Sequence, residues 1–184
     1  MSDNATPTKF GKPTVVTGLL PKGSYLARWN KGVYPHKTTS GNICILADGE
    51  LIASVDPSSP DYVELADGTK MKIGGLKFRT YFILDENKER QYADTYAALQ
   101  NLQMIDEAGQ IDTDRIVAAM NSGKVVFNTI AEGEATYHRD GKGVTLKDAE
   151  GKDRLRGYGV RTVFAGDIGS RVPASLVGFD EHVF

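Results

Sequence analysis

Residues 76–84, Leu-Lys-Phe-Arg-Thr-Tyr-Phe-Ile-Leu, alternate in character along their whole length. A period of two marks a strand with one face on a core. Leu76, Phe78, Phe82 and Leu84 share one face, while Lys77, Arg79 and Tyr81 point the other way. A chain containing this segment must build a sheet around it. One face of that strand suits a core, and the other suits an anionic, aromatic ligand.

The rest of the chain fits a mainly β protein, a β-rich α+β fold. Its 20 glycines and 7 prolines are spread in turn-like settings, as expected for short strands joined by many turns. The first clear strand is expected over Tyr25–Tyr34, ended by Pro35 and followed by a polar loop at 36–42. Ile43–Ala47 and Leu51–Val55 read as a hairpin turning at Asp48-Gly49, because an Asp-Gly pair between β-formers is a hairpin signal. Asp67-Gly68 offers a second turn before Lys70–Ile73. From Asn87 to Met104 the period becomes helical, with Tyr92, Tyr96, Leu99 and Leu102 as a stripe suited to core contacts. A short helix is expected over Thr113–Asn121, capped by Asp112 and ended by Gly123. Strands return at Val125–Ile130, Ala135–His138 and Leu155–Phe164, with a charged, turn-rich stretch between the last two. No internal repeat is expected. At 184 residues the chain suits one domain over 19–165, an N-terminal arm over 1–18 and a C-terminal segment over 166–184.

Several chemistries lack their sequence signatures. The single cysteine, Cys44, rules out an internal disulfide framework and disfavours a thiolate metal site. His36, His138 and His182 fall in separate contexts without paired ligand spacing. Phosphate-cradling loops and a nucleophile elbow are absent, so no catalytic residue, metal or cofactor is expected. The polar N-terminus reads as no signal peptide, and no apolar run spans a bilayer; the expected location is the cytoplasm, away from membranes. A net charge of −2 does not advertise a nucleic-acid binder, so distribution has to decide.

That distribution interleaves basic and aromatic residues on strands. Trp29, Lys31, Tyr34 and Lys37 lie on or beside the first strand; Lys77, Arg79 and Tyr81 share a face of the central one. Arg156 and Tyr158 share a face of the last, with Arg161 on the opposite parity. Such residues can stack bases and neutralise phosphates of a single strand without reading sequence, each stack being worth about 1–3 kcal/mol. The competing interpretation makes Trp29, Tyr34 and Tyr158 ordinary core aromatics.

The order of signals resembles a family of bacteriophage single-stranded-DNA-binding proteins from replication and recombination modules. The residues that carry it are Leu20-Pro21-Lys22-Gly23-Ser24-Tyr25, Lys37-Thr38-Thr39-Ser40-Gly41-Asn42, the 77–84 strand, the 87–104 helix, Gly123-Lys124-Val125-Val126 and Arg156-Gly157-Tyr158. The resemblance implies an OB-like β-barrel with one long and one short helix inserted between strands, coating single-stranded DNA. Val55–Ile73 departs from the pattern as an extra hairpin or insertion. Asp180, Glu181 and Phe184 faintly resemble the acidic, phenylalanine-ended tails that recruit partner enzymes. Self-association is left open. The alternatives are a β-rich structural or assembly protein of virion type, and an enzyme with carboxylates gathered from distant segments.

Overall fold

The computed structural model describes residues 15–56, 61–64, 68–161 and 163–173. Its centre is a five-stranded antiparallel sheet in the order β10-β7-β2-β3-β6. These strands are β2 (Gly23–Lys37), β3 (Ile43–Ser54), β6 (Lys77–Ile83), β7 (Val126–Ala131) and β10 (Ile168–Val172). β1 (Val15–Thr17), β4 (Tyr62–Glu64) and β5 (Lys70–Lys72) form a small separate sheet; β8 (Gly133–Tyr137) pairs with β9 (Leu155–Val160). The mainly β expectation holds, but the described strands do not close into a barrel, since β6 and β10 are the edges of the central sheet. β4 and β5 do pair antiparallel within the 55–73 stretch. Asp180, Glu181 and Phe184 lie outside the described residues, as does Asp67.

Two expected breaks are strand interior. β2 runs through Pro35, where the register with β3 shifts between Val33 and His36; at such an irregularity proline's missing N–H costs the ladder little. β3 runs through Asp48-Gly49, with Gly49 opposite Trp29 on one side and Phe78 on the other. A Cβ at Gly49 would stand 2.5 Å from Phe78 Cζ and 2.9 Å from the Arg28 carbonyl oxygen. Glycine is there because the Phe78 ring takes that space, not because the chain turns.

The helices fall close to expectation. α1 spans Glu89–Asn101 and α2 spans Thr113–Asn121; the Asp112 side chain caps α2 by accepting from the Arg115 N–H at 3.1 Å. α1 buries Thr95, Ala98 and Leu99, while Tyr92 and Tyr96 are only half-buried. α2 lies against β2, and Gly32 leaves room for Met120, whose Sδ would be 3.0 Å from a Cβ there.

Trp29 anchors the core. Its ring stacks on Phe127 at 4.6 Å between centroids and meets the edges of Phe78 and Phe82 at 5.6 Å each. Such aromatic pairs add about 0.5–1.5 kcal/mol each beyond the area they bury. A bulge between Trp29 and Lys31 resets the alternation: Trp29 faces inward, Lys31 sits opposite Asp48, and Gly32 faces inward again toward α2.

The charged stretch between β8 and β9 contains a short repeat that was not expected. Arg139-Asp140-Gly141-Lys142-Gly143 and Lys147-Asp148-Ala149-Glu150-Gly151 share a basic-Asp-x-x-Gly pattern. Each aspartate Oδ1 accepts the N–H groups two and four residues on: Lys142 and Val144 in one turn, Glu150 and Lys152 in the other. Gly143 and Gly151 take φ of +83° and +77°, a region glycine occupies without strain. Three backbone bonds then close a triangle: His138 N–H to Arg154 O at 2.9 Å, Arg154 N–H to Leu146 O at 2.8 Å, and Leu146 N–H to His138 O at 2.8 Å. The β8–β9 ladder thus branches into two small hairpins at a three-way junction.

Candidate nucleic-acid interface

The β6 alternation places Lys77 and Arg79 on the solvent side, with Phe78, Thr80 and Phe82 buried beneath. The paired strand supplies acids at the same register. Lys77 lies opposite Glu50, and Arg79 opposite Asp48. Lys77 Nζ, on a side chain 72% exposed, reaches Glu50 Oε2 at 2.8 Å; Arg28 Nη2 reaches Glu50 Oε1 at 2.6 Å from the other side. Arg79 forks onto Asp48, Nε to Oδ1 at 2.7 Å and Nη2 to Oδ2 at 3.2 Å.

These pairs set the protonation of the face. Burial acts to raise the Glu50 carboxyl, but hydrogen bonds and charge from Lys77 and Arg28 outweigh it and hold the group below its ordinary value. The Asp48 hydrogen bond pushes the Arg79 guanidinium up. The face is therefore a lattice of ion pairs in which, among the described residues, cations outnumber carboxylates. Arg28, Lys31, Lys77 and Arg79 stand against Asp48 and Glu50, and Lys31 is exposed opposite Asp48. Tyr81 continues the row, half-buried, with its ring 6.1 Å from that of His36.

The other expected residues are dispersed. Trp29 is fully buried and offers no ring to an external ligand, so its assignment as a contact is corrected: it is a core aromatic. Tyr34 and Lys37 are exposed toward the end of β2. Arg156 is exposed on β9, which also carries Tyr158 opposite Ala135. Arg161 pairs with Glu132 and lies over the Phe164 ring, 5.3 Å from its centroid. The structure gathers Lys31, Lys77, Arg79 and Tyr81 on one sheet face and leaves Arg156 and Arg161 elsewhere.

Sequence reasoning missed Phe164, a ring 58% exposed beside a cation. It also missed a cavity of about 430 Å³ at the C-terminal end of β6. The cavity is bounded by the 38–42 loop, Tyr81 and Ile83, the α1 residues Gln91, Asp94 and Thr95, and the segment 163–166. No local signal marks it, because four separate stretches of chain build it.

Cys44 is buried; its thiol donates to the His36 carbonyl at 3.6 Å, and burial pushes its pKa up. Among the described residues no cluster of three or more His, Cys, Asp or Glu side chains is placed to hold a metal, and no helix is long and apolar enough to cross a membrane. No protein-family model, curated protein or solved structure matches the chain.

Proposed function

We propose that this protein binds single-stranded DNA across the solvent face of β3 and β6, coating the strand without strong sequence preference as the resembled phage family implies. The observation that carries this reading is the β6 row itself. Lys77, Arg79 and Tyr81 stand side by side over a finished core, with the side chains of Lys77 and Arg79 exposed beside their carboxylate partners.

The connectivity supports an OB-like plan. β2, β3 and β6 are consecutive neighbours in the sheet, the helices come between β6 and β7, and β7 returns to pair with β2. β8–β9 then brings the chain back beside β6. In OB folds the face of the second and third strands, with the loops joining strands one to two and four to five, takes oligonucleotides, and on this plan those two strands would be β3 and β6. The ion pairs tie these cations to Asp48 and Glu50, so phosphates would compete with the two carboxylates for the same donors.

Fluorescence anisotropy of labelled oligo-dT over a salt series tests the proposal. Affinity should fall steeply with salt, log K against log salt having a slope of roughly −0.7 per phosphate neutralised. No binding at micromolar protein in low salt would sink it.

A further inference from the structure

We propose that the cavity at the end of β6 takes one guanine base of the bound strand, its N1–H and N2–H donating to the Asp94 carboxylate. The inference rests on the single-stranded-DNA reading and deepens it. At about 430 Å³ the cavity lies within the roughly 300–1,000 Å³ range of sites for small organic molecules. Among the described residues Asp94 is the one charged residue in its lining. With a carboxylate as the charged group of its described lining and Arg161 only at the rim, the site disfavours a phosphate within it and favours a neutral group rich in N–H donors.

The remaining wall suits a flat polar ring. Thr38, Thr39, Ser40 and Asn42 supply hydroxyl and amide groups from one side, and Ile83, Val163 and Ala165 supply apolar surface. Gly166 lies against the carboxylate: a Cβ there would stand only 3.7–3.9 Å from the Asp94 carboxylate atoms. Phe164, exposed at the rim with Arg161 over its ring, offers a stacking surface to a neighbouring base.

A second observation points to the same place. Thr95 lines the cavity, is fully buried, and its Oγ1 has no hydrogen-bond partner. Buried hydroxyls are normally satisfied; Oγ1 is closed off behind the cavity wall, and a base that opened the wall there would give it a partner. Guanine fits the carboxylate best because two parallel donors match two oxygens. Thymine would set a carbonyl on each side of its single N–H against the negative charge.

The test compares oligo-dT with the same oligonucleotide carrying one central dG. Wild type should bind the dG form at least about fivefold more tightly, the low end for a bidentate base contact. Asp94→Asn should abolish the difference, and Thr95→Val, which keeps the shape, should narrow it without lowering the melting temperature. Equal affinity for the two oligonucleotides, with oligo-dT bound, would overturn the cavity assignment and leave the DNA-binding reading standing. If neither oligonucleotide binds, isothermal titration with deoxyguanosine decides. Binding that is lost in Asp94→Asn upholds the cavity while the strand-binding reading falls, and no binding overturns both.

Discussion

Arg79 and Asp48 face each other in register across β6 and β3 and share two hydrogen bonds, so a central cation of the proposed binding face is already engaged by an acid of the same protein. On the proposed reading, a DNA phosphate must displace that carboxylate or share the guanidinium with it. Asp48→Asn removes the competing charge while keeping the side-chain shape. The variant should bind oligo-dT several-fold more tightly at low salt, with a steeper salt dependence. Its stability should change by no more than about 1 kcal/mol, the usual scale of an exposed pair. Anisotropy over a salt series reads the first outcome and urea unfolding the second; unchanged affinity would place the strand elsewhere.

Trp29 is the chain's single tryptophan, and its burial against Phe78, Phe82 and Phe127 makes it a reporter of the core. Its emission should be blue-shifted, resist acrylamide quenching and stay constant on adding oligo-dT. Trp29→Ala should cost about 3–5 kcal/mol, as large-to-small core truncations do. Quenching of Trp29 by DNA would contradict the core assignment.

Gly49 shows where local sequence misleads. Asp-Gly between β-formers is a turn signal, yet here it lies inside β3 because the Phe78 ring packs where a side chain would be. Gly49→Ala should destabilise by about 1–3 kcal/mol through overpacking, measured by denaturant unfolding. A combined Gly49→Ala, Phe78→Leu variant should regain part of the loss. If Gly49→Ala is neutral, the close approach is not a constraint.

The β6 face was legible because its alternation is local. Its acids were not: Glu50 and Asp48 lie 27 and 31 residues from Lys77 and Arg79, and only strand register brings them together. β2 misled for another reason. Both of its faces mix sizes and polarities, and the bulge after Trp29 resets its parity, so alternation alone could not say which face Trp29 takes.

Glu50 makes stability depend on pH. Its carboxyl lies below the ordinary value of 4.5 because Lys77 and Arg28 bind the charged form strongly enough to outweigh burial. A carboxylate with a lowered folded pKa contributes stability above its unfolded pKa and loses it as pH falls through the folded value. The melting temperature should therefore fall below about pH 4.5. Glu50→Gln should melt lower than wild type at pH 7, and the gap should narrow toward pH 3. A constant gap would mean that Glu50 titrates normally.

The two hairpins beyond β8 rest on Asp140 and Asp148, each of which turns a carboxylate inward onto two backbone N–H groups. Their charges are therefore spent on the turns, while Lys142 and Lys152 remain on the outside. Asp148→Ala should accelerate amide exchange at Glu150 and Lys152 by about fivefold, equivalent to losing roughly 1 kcal/mol of local hydrogen bonding. Because Leu146 and Arg154 share the triangle with His138, His138 should lose protection too. Lys142 and Val144, held by Asp140, should change less. The global melting temperature should hardly move, since the junction lies outside the core cluster. Faster exchange confined to residues 148–152 would show that the triangle does not couple the hairpins; unchanged exchange throughout would show that the aspartates do not hold the turns.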